Sequence, residues 1–299
     1  MAQDITPAEL EKAYAHCARL IQAHDRDRFL ASLFAPLAAR RHLSALYAFN
    51  LEVARVREVV REPLPGEMRL QWWRDLIEGL GRGEVAGHPV ASALMDTLTA
   101  TTLSRPALLN LLEARTFDLY DDPMPTLNDL EGYAGETASV LIQLSAGLLL
   151  GAPQTGLATA SGHAGVAVAV TGLMRALPIH AARGQCFLPL DLLNAYGGTR
   201  EDVVGRKATA GVRETLTTLR RRVRHHLAAA QEALAGAPPE AMAAFLPLAL
   251  VPGDLHDLER AGDPFAAVVG APPLVRQWRL WRAARKARAG RPFFTLPDV

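Results

Sequence analysis

The sequence predicts an all-α protein, and three observations carry that expectation. Apolar residues recur at three- and four-residue spacings along most of the 299 residues, the interruptions fall at Pro and Gly, and strand-type alternation is nearly absent. Pro7 after Thr6 suits a first helical turn, and Leu10, Tyr14, Cys17 (or Ala18) and Ile21 make an apolar stripe ending near His24. Further helices are expected to start near Asp25, Pro36, Gly66, Pro89, Pro106, Thr126 and Pro189, the Pro36 helix running to Val60. Arg213 to Ala235 and residues 272–289 complete the series. Val166, Val168 and Val170 alternate with Ala and would pass as a strand on period alone, but a single strand would have nothing to pair with. Short connections and the lack of an internal repeat favour one domain over 1–299.

Composition removes several classes of function. A hydrophobic content of 49% is far too high for a disordered chain. With 32 Lys plus Arg against 31 Asp plus Glu, no global field favours nucleic acid, so any basic surface must be local. Two cysteines, Cys17 and Cys186, form neither a disulfide framework nor a zinc motif and read as a reduced, intracellular pair. Met1 to Thr6 shows no export or transit signature. Thr137 to Met174 lacks Lys, Arg, Asp and Glu, yet its glycines and Pro153 divide it into pieces such as Val140 to Leu150, shorter than the roughly 20 residues of a spanning helix. Two buried helices joined by a small-residue loop are expected there.

Several literal motif matches have bland explanations. Gly81-Arg-Gly83-Glu-Val-Ala86 fits a dinucleotide fingerprint but follows a helix rather than a strand, so a loop is expected. His225 and His226 are adjacent, point about 100° apart on a helix and read as surface residues. Asp254, His256 and Asp257 offer ligand chemistry, but Asp254 after Pro252-Gly253 is the better candidate for a helix cap. Asp118 and Asp122 sit four apart, a spacing that would place both carboxylates on one helix face and suit Mg²⁺; a solvated helix end ahead of Pro123 is the favoured alternative.

Arg40-Arg41-His-Leu-Ser-Ala-Leu-Tyr47-Ala48-Phe49 and Met68-Arg-Leu-Gln71-Trp72-Trp73-Arg74-Asp75 together resemble the squalene and phytoene synthase family. The likeness continues through His88-Pro89-Val90-Ala91, Tyr133 to Gly151 and Arg183-Gly184-Gln-Cys-Phe187-Leu188-Pro189-Leu-Asp191, in order over roughly residues 25 to 200. The resemblance implies an isoprenoid-synthase-like helical bundle around an apolar cavity, where polyprenyl diphosphates are joined with Mg²⁺ held by two aspartate-rich motifs. This chain departs from both motifs. The first would place acids at positions 54, 55 and 58, where Ala54, Arg55 and Glu58 stand. The second would place Asn at 172 and Asp at 176 and 180, where Gly172, Ala176 and His180 stand. Ala169, Gly172, Ala176 and His180 lie at helical spacing, and Pro178 interrupts their helix. A hard octahedral cation is not held by methyl groups and a hydrogen atom, and Arg55 adds repulsion, so no metal and no cofactor are expected.

Tyr47, Arg175 and Arg183 are left as candidate phosphate or ligand contacts, with structural pairing of the two arginines as the favoured alternative. Phe49 to Glu58, Tyr133 to Ser139, and Arg175-Ala-Leu-Pro178-Ile-His180 are most similar to the complex I assembly-factor branch of the family. That branch implies a pseudoenzyme assisting a membrane-arm subunit of NADH:quinone oxidoreductase. The expected location is cytoplasmic and peripheral at the inner face of the membrane, the matrix side in the mitochondrial counterpart. The rivals are a prenyltransferase with relocated ligands Asp118, Asp122 and Glu58, and a carrier of apolar or prenyl lipid without chemistry.

Residues 274 to 291 hold Arg276, Arg279, Arg282, Arg285, Lys286, Arg288 and Arg291 and no acid, with Val275, Trp278 and Trp281 on one stripe. Against a whole-chain charge of +1, the remainder carries −6, so the positive charge is concentrated in this amphipathic helix. Arg276, Trp278, Arg279, Trp281, Arg282 and Arg285 are candidate membrane contacts. Packing of both Trp on the bundle with the Arg in water fits the sequence equally well. Arg220-Arg221-Arg222-Val223-Arg224 extends the patch if it folds onto the same side. Without a recognition module, the charge does not indicate nucleic acid.

Overall fold

A computed structural model describes residues 6–60, 62–80, 85–153 and 155–296. The described helices run in order α1 (Pro7–His24), α2 (Arg26–Ser32), α3 (Leu37–Ala54), α4 (Val56–Val59), α5 (Pro63–Glu78), α6 (Pro89–Ala100), α7 (Arg105–Thr116), α8 (Leu127–Ala134) and α9 (Val140–Leu150). They continue with α10 (Ala158–Arg175), α11 (Leu177–Ala182), α12 (Leu190–Ala195), α13 (Arg200–Val204), α14 (Ala210–Ala233), α15 (Met242–Phe245), α16 (Val251–Arg260) and α17 (Pro273–Arg288). No strand occurs among the described residues. The valines at 166, 168 and 170 lie within α10. Most of the glycine fingerprint at 81–86 falls outside the described residues.

The chain divides into two compact units. Residues 1–120, 141–156 and 238–244 make the first; residues 121–140, 157–237 and 245–299 make the second. In the first unit, Thr6 caps α1 in a capping box with Glu9, and the buried face of that helix, Tyr14, Cys17 and Ile21, packs against α3 and α6. Gly79 ends α5 with φ +81°, a conformation that L side chains rarely adopt. The Pro36 helix is shorter than expected: it stops at Ala54, because Arg55 leaves helical geometry (φ −101°, ψ 6°) before the short α4.

In the second unit, α10 is the central rod and packs on α8, α14 and α16. Gly165 is required there, since a Cβ would sit 2.3 Å from the backbone N and Cα of Ser139. Ser139 closes a π-helical turn, Gly135–Ser139, and its hydroxyl donates to the Gly162 carbonyl at 2.8 Å. That turn joins α8 to α9 without a break, giving one 24-residue helical run, Leu127–Leu150, while Thr155–Arg175 forms a 21-residue run. The expectation of short apolar pieces is therefore corrected: both runs are long and apolar enough to cross a bilayer. About half of each apolar window is buried inside the protein, as in core helices.

Candidate functional site

The first unit carries a cleft of about 640 Å³ built where α3 gives way to α4. Leu51, Val56, Val59, Met68 and Trp72 supply apolar walls, and Glu52, Arg55, Arg69 and His88 supply the polar groups. Its polar pole follows from local structure. His88 caps α6, its Nδ1 accepting from the Ala91 amide at 3.3 Å, which leaves Nε2 to carry the proton. Nε2 stands 3.4 Å from a carboxylate oxygen of Glu52. Burial pushes Glu52 up to about 7, against the pull of Arg69, and burial also lowers His88. Both groups are thus driven towards their neutral forms, in a cleft bordered by Trp72 and Trp73, whose rings lie 5.1 and 5.5 Å from the imidazole. Glu52 was not singled out from sequence, although an acid between Leu51 and Val53 on a mostly buried helix is a visible anomaly.

Of the first-motif positions, Arg55 lines this cleft. Ala54 is the last residue of α3, and Arg55 Nε donates to Glu58 Oε2 at 2.8 Å. A guanidinium lies against the one carboxylate of the three positions, so this donor set does not fit a Mg²⁺ cluster. Tyr47 is 3% exposed, with the Arg28 guanidinium 6.0 Å over its ring. Asp118 corrects its expectation: it is a buried residue of the single turn Phe117–Leu119, paired with Arg115 at 3.0 Å, and Asp122 lies beyond that turn in non-helical chain. The pair does not share a helix face.

In the second unit the second-motif positions are split. α10 ends at Arg175, Ala176 turns out of helical geometry (φ −83°, ψ 1°), and Pro178 sits in the first turn of α11. Gly172 and His180 therefore belong to different helices, and a single face over 169–180 is not formed. The His180 ring lies 4.7 Å from Phe187. A hydrogen atom, a methyl group and an imidazole do not fit Mg²⁺ here either. Among the described residues, no group of three or more His, Cys, Asp or Glu is placed to hold a metal ion.

Arg175 is committed elsewhere. Its Nε donates to the Val269 carbonyl at 2.7 Å, and its Nη1 lies 3.4 Å from Asp254. Asp254 is not the expected cap. It falls within α16, 2% exposed, and accepts from Arg276 Nη1 at 2.6 Å. Arg183 is exposed at the end of α11. His226 is also corrected, from surface to 5% exposed. Its Nδ1 lies 2.9 Å from Nδ1 of His163, and its Nε2 lies 3.3 Å from Glu131, which is also paired with Arg222. His163 is the one histidine in the uncharged stretch 137–174, a signal that pointed to a buried polar partner.

The basic helix α17 resolves the two sequence readings of its tryptophans. Its buried stripe is Arg276, Leu280, Ala283, Ala284 and Ala287, whereas Trp278 and Trp281 are 54% and 46% exposed. Arg276 departs from the expected membrane set because it is buried on Asp254.

Comparison with known proteins agrees with this architecture. The family model described as Squalene/phytoene synthase matches residues 21–282. "NADH dehydrogenase (ubiquinone) complex I, assembly factor 6" of Rattus norvegicus is 31% identical over 248 residues, covering 83% of this chain and 74% of that relative. Phytoene synthase of Arthrospira platensis is 24% identical over 254 residues, covering 79% of this chain and 80% of that relative. The crystal structure of squalene synthase HpnC from Alicyclobacillus acidocaldarius superposes with a TM-score of 0.70 at 24% identity, over 85% of this chain and 96% of that one. The expected isoprenoid-synthase-like helical fold is thereby confirmed.

Proposed function

Because the chain belongs to the squalene/phytoene synthase family, we propose that it serves in assembly of respiratory complex I without metal-dependent prenyl transfer. The observation that carries this reading is the 31% identity, over 83% of the chain, to a relative named as an assembly factor of that complex. Replacement of the family's metal-motif residues, an Asn and four acids, by Gly172 and by Ala54, Arg55, Ala176 and His180 supports the second half. We place its client in the membrane arm of NADH:quinone oxidoreductase, at the inner face of the membrane that carries the complex. Deleting the gene should lower assembled complex I on native gels, and the intact chain supplied in trans should restore it. Normal assembly in the deletion strain would remove this function.

A prenyltransferase remains the second reading, favoured by the likeness to a phytoene synthase over 79% of the chain. Purified protein with Mg²⁺ and farnesyl or geranylgeranyl diphosphate is expected to release no pyrophosphate; Mg²⁺-dependent turnover would reverse the ranking. The apolar cleft of the first unit supports the third expectation, a bound apolar or prenyl lipid, which solvent extraction of the purified protein and mass spectrometry would detect.

A further inference from the structure

We propose that the outward face of α17 is a docking surface for an anionic lipid bilayer. The helix is fixed by one side only: Leu280, Ala283, Ala284 and Ala287 are buried, and Arg276 is tied to Asp254. The opposite side carries Trp278 and Trp281, with Leu274 (77% exposed) and Val275 in the turn before them. Exposing two indoles and a leucine on one helix face is unfavourable in water, and a bilayer interface is the surface where Trp is enriched.

The cations are arranged around those rings. Arg282 lies 5.4 Å over the Trp278 ring and Arg285 4.9 Å over the Trp281 ring, so two exposed cations stand directly beside the exposed indoles. Arg288 in the last turn and Arg291 just past the helix are exposed as well. No acid occurs between 274 and 291, while the rest of the chain carries −6. An anionic surface therefore attracts this helix and repels the remainder, which sets the orientation of docking as well as its affinity. The surface is the convex side of one helix rather than a groove, a shape suited to lying in a headgroup layer. The inference stands on α17 alone and does not depend on the assembly reading: a deletion strain can assemble complex I normally while the protein still binds vesicles, and the reverse.

The test is flotation of the full chain with vesicles of phosphatidylcholine alone or mixed with phosphatidylglycerol, read together with Trp fluorescence. Binding and a blue shift are expected only with phosphatidylglycerol, and both should weaken at high salt. Arg282→Glu with Arg285→Glu should reduce affinity at least about tenfold, the order expected for reversing two charges at such a surface. Trp278→Ser with Trp281→Ser should remove the blue shift and weaken binding, and unchanged circular dichroism would show that both double variants fold. Equal binding to the two vesicle types, no binding to either, or variants that bind as the parent does would overturn the proposal. So would a Trp shift produced by an acidic polypeptide such as polyglutamate and not by lipid, which would assign the face to a protein partner.

Discussion

Asp254→Asn is the substitution with the largest expected structural consequence. The carboxylate is 2% exposed, its two oxygens face Arg276 Nη1 at 2.6 Å and Arg175 Nη1 at 3.4 Å, and Arg276 itself is 9% exposed. Asn keeps the volume and removes the charge, leaving two guanidiniums beside a neutral amide in a desolvated site. Loss of one partner of a buried pair costs about 3–5 kcal/mol. At about 2 °C per kcal/mol for a chain of this size, the melting temperature should fall by about 6–10 °C. Differential scanning fluorimetry or circular dichroism reads this directly, with Glu58→Gln as the control. Glu58 pairs with Arg55 at a partly exposed surface, where loss should stay below about 1 kcal/mol. The double variant Asp254→Leu with Arg276→Met should recover part of the loss, since an apolar replacement removes the buried cation together with its carboxylate. A fall in melting temperature under about 2 °C, or one equal to that of the control, would refute the assignment of Asp254 as the ionic centre of this unit.

Acid should destabilise the second unit through its histidines. Burial lowers His226 and His163 below 6.5, so as pH falls through that value the unfolded chain takes up protons first, and stability is lost progressively down to the folded pKa values. Glu131, Arg222 and His225 are the other charged or titratable groups at this cluster, and Glu131, itself lowered, adds a further loss below 4.5. Urea midpoints at about pH 7.5 and about pH 5.5 should differ for the parent and less so for His226→Gln; parallel shifts would exclude His226 as a source. Gly165→Ala should destabilise by about 1–3 kcal/mol because its Cβ meets the Ser139 backbone, whereas Gly172→Ala, with nothing within 4 Å, should be neutral or stabilising by up to about 1 kcal/mol. Thermal melts of the two variants decide it: a harmless Gly165→Ala would contradict the close packing of α10 on the π turn. Calorimetric titration with Mg²⁺ should give no saturable heat, and a stoichiometric site lost in Glu58→Gln would restore the metal reading.

Helix order and class were legible because they rest on periodicity and on local breakers: Asp25, Pro36, Thr126 and Pro189 each stand as the residue before a helix, as their chemistry predicts. What the sequence concealed was the partner of each charge. Asp254 after Pro252-Gly253 reads as a cap from local pattern, but its helix begins at Val251 and the carboxylate meets arginines 79 and 22 positions away, a relation that no local window contains. His226 reads as surface because, adjacent to His225, it points about 100° away from it on a helix and shares no ligand with it; in the fold it meets His163 and Glu131, which lie 63 and 95 positions away. The failed length argument for Val140 to Leu150 has a similar origin. A π turn, Gly135–Ser139, carries the helix upstream of Val140, and Gly147 in α9 and Gly162 and Gly165 in α10 are accommodated inside their helices instead of breaking them.

Two of the basic residues that could have compensated for the missing carboxylates, Arg55 and Arg175, are employed structurally. In a family fold stripped of metal ligands, diphosphate binding would have to rely on arginine forks. Arg55 is held on Glu58, and Arg175 is held by the Val269 carbonyl and Asp254. The same carboxylate, Asp254, anchors Arg276 and with it the root of α17. Absence of aspartates at the motif positions and engagement of Arg55 and Arg175 thus point the same way, and Arg175 shares its carboxylate, Asp254, with the arginine that roots the helix carrying Trp278 and Trp281. A variant with Asp at 176 and 180 would therefore have to straighten the turn at Ala176 before those two positions could share a helix face and gather a cation. Such a variant is expected to show neither Mg²⁺ binding nor pyrophosphate release, and the appearance of either would mean that the helix break at Ala176 constrains these positions less than its geometry indicates.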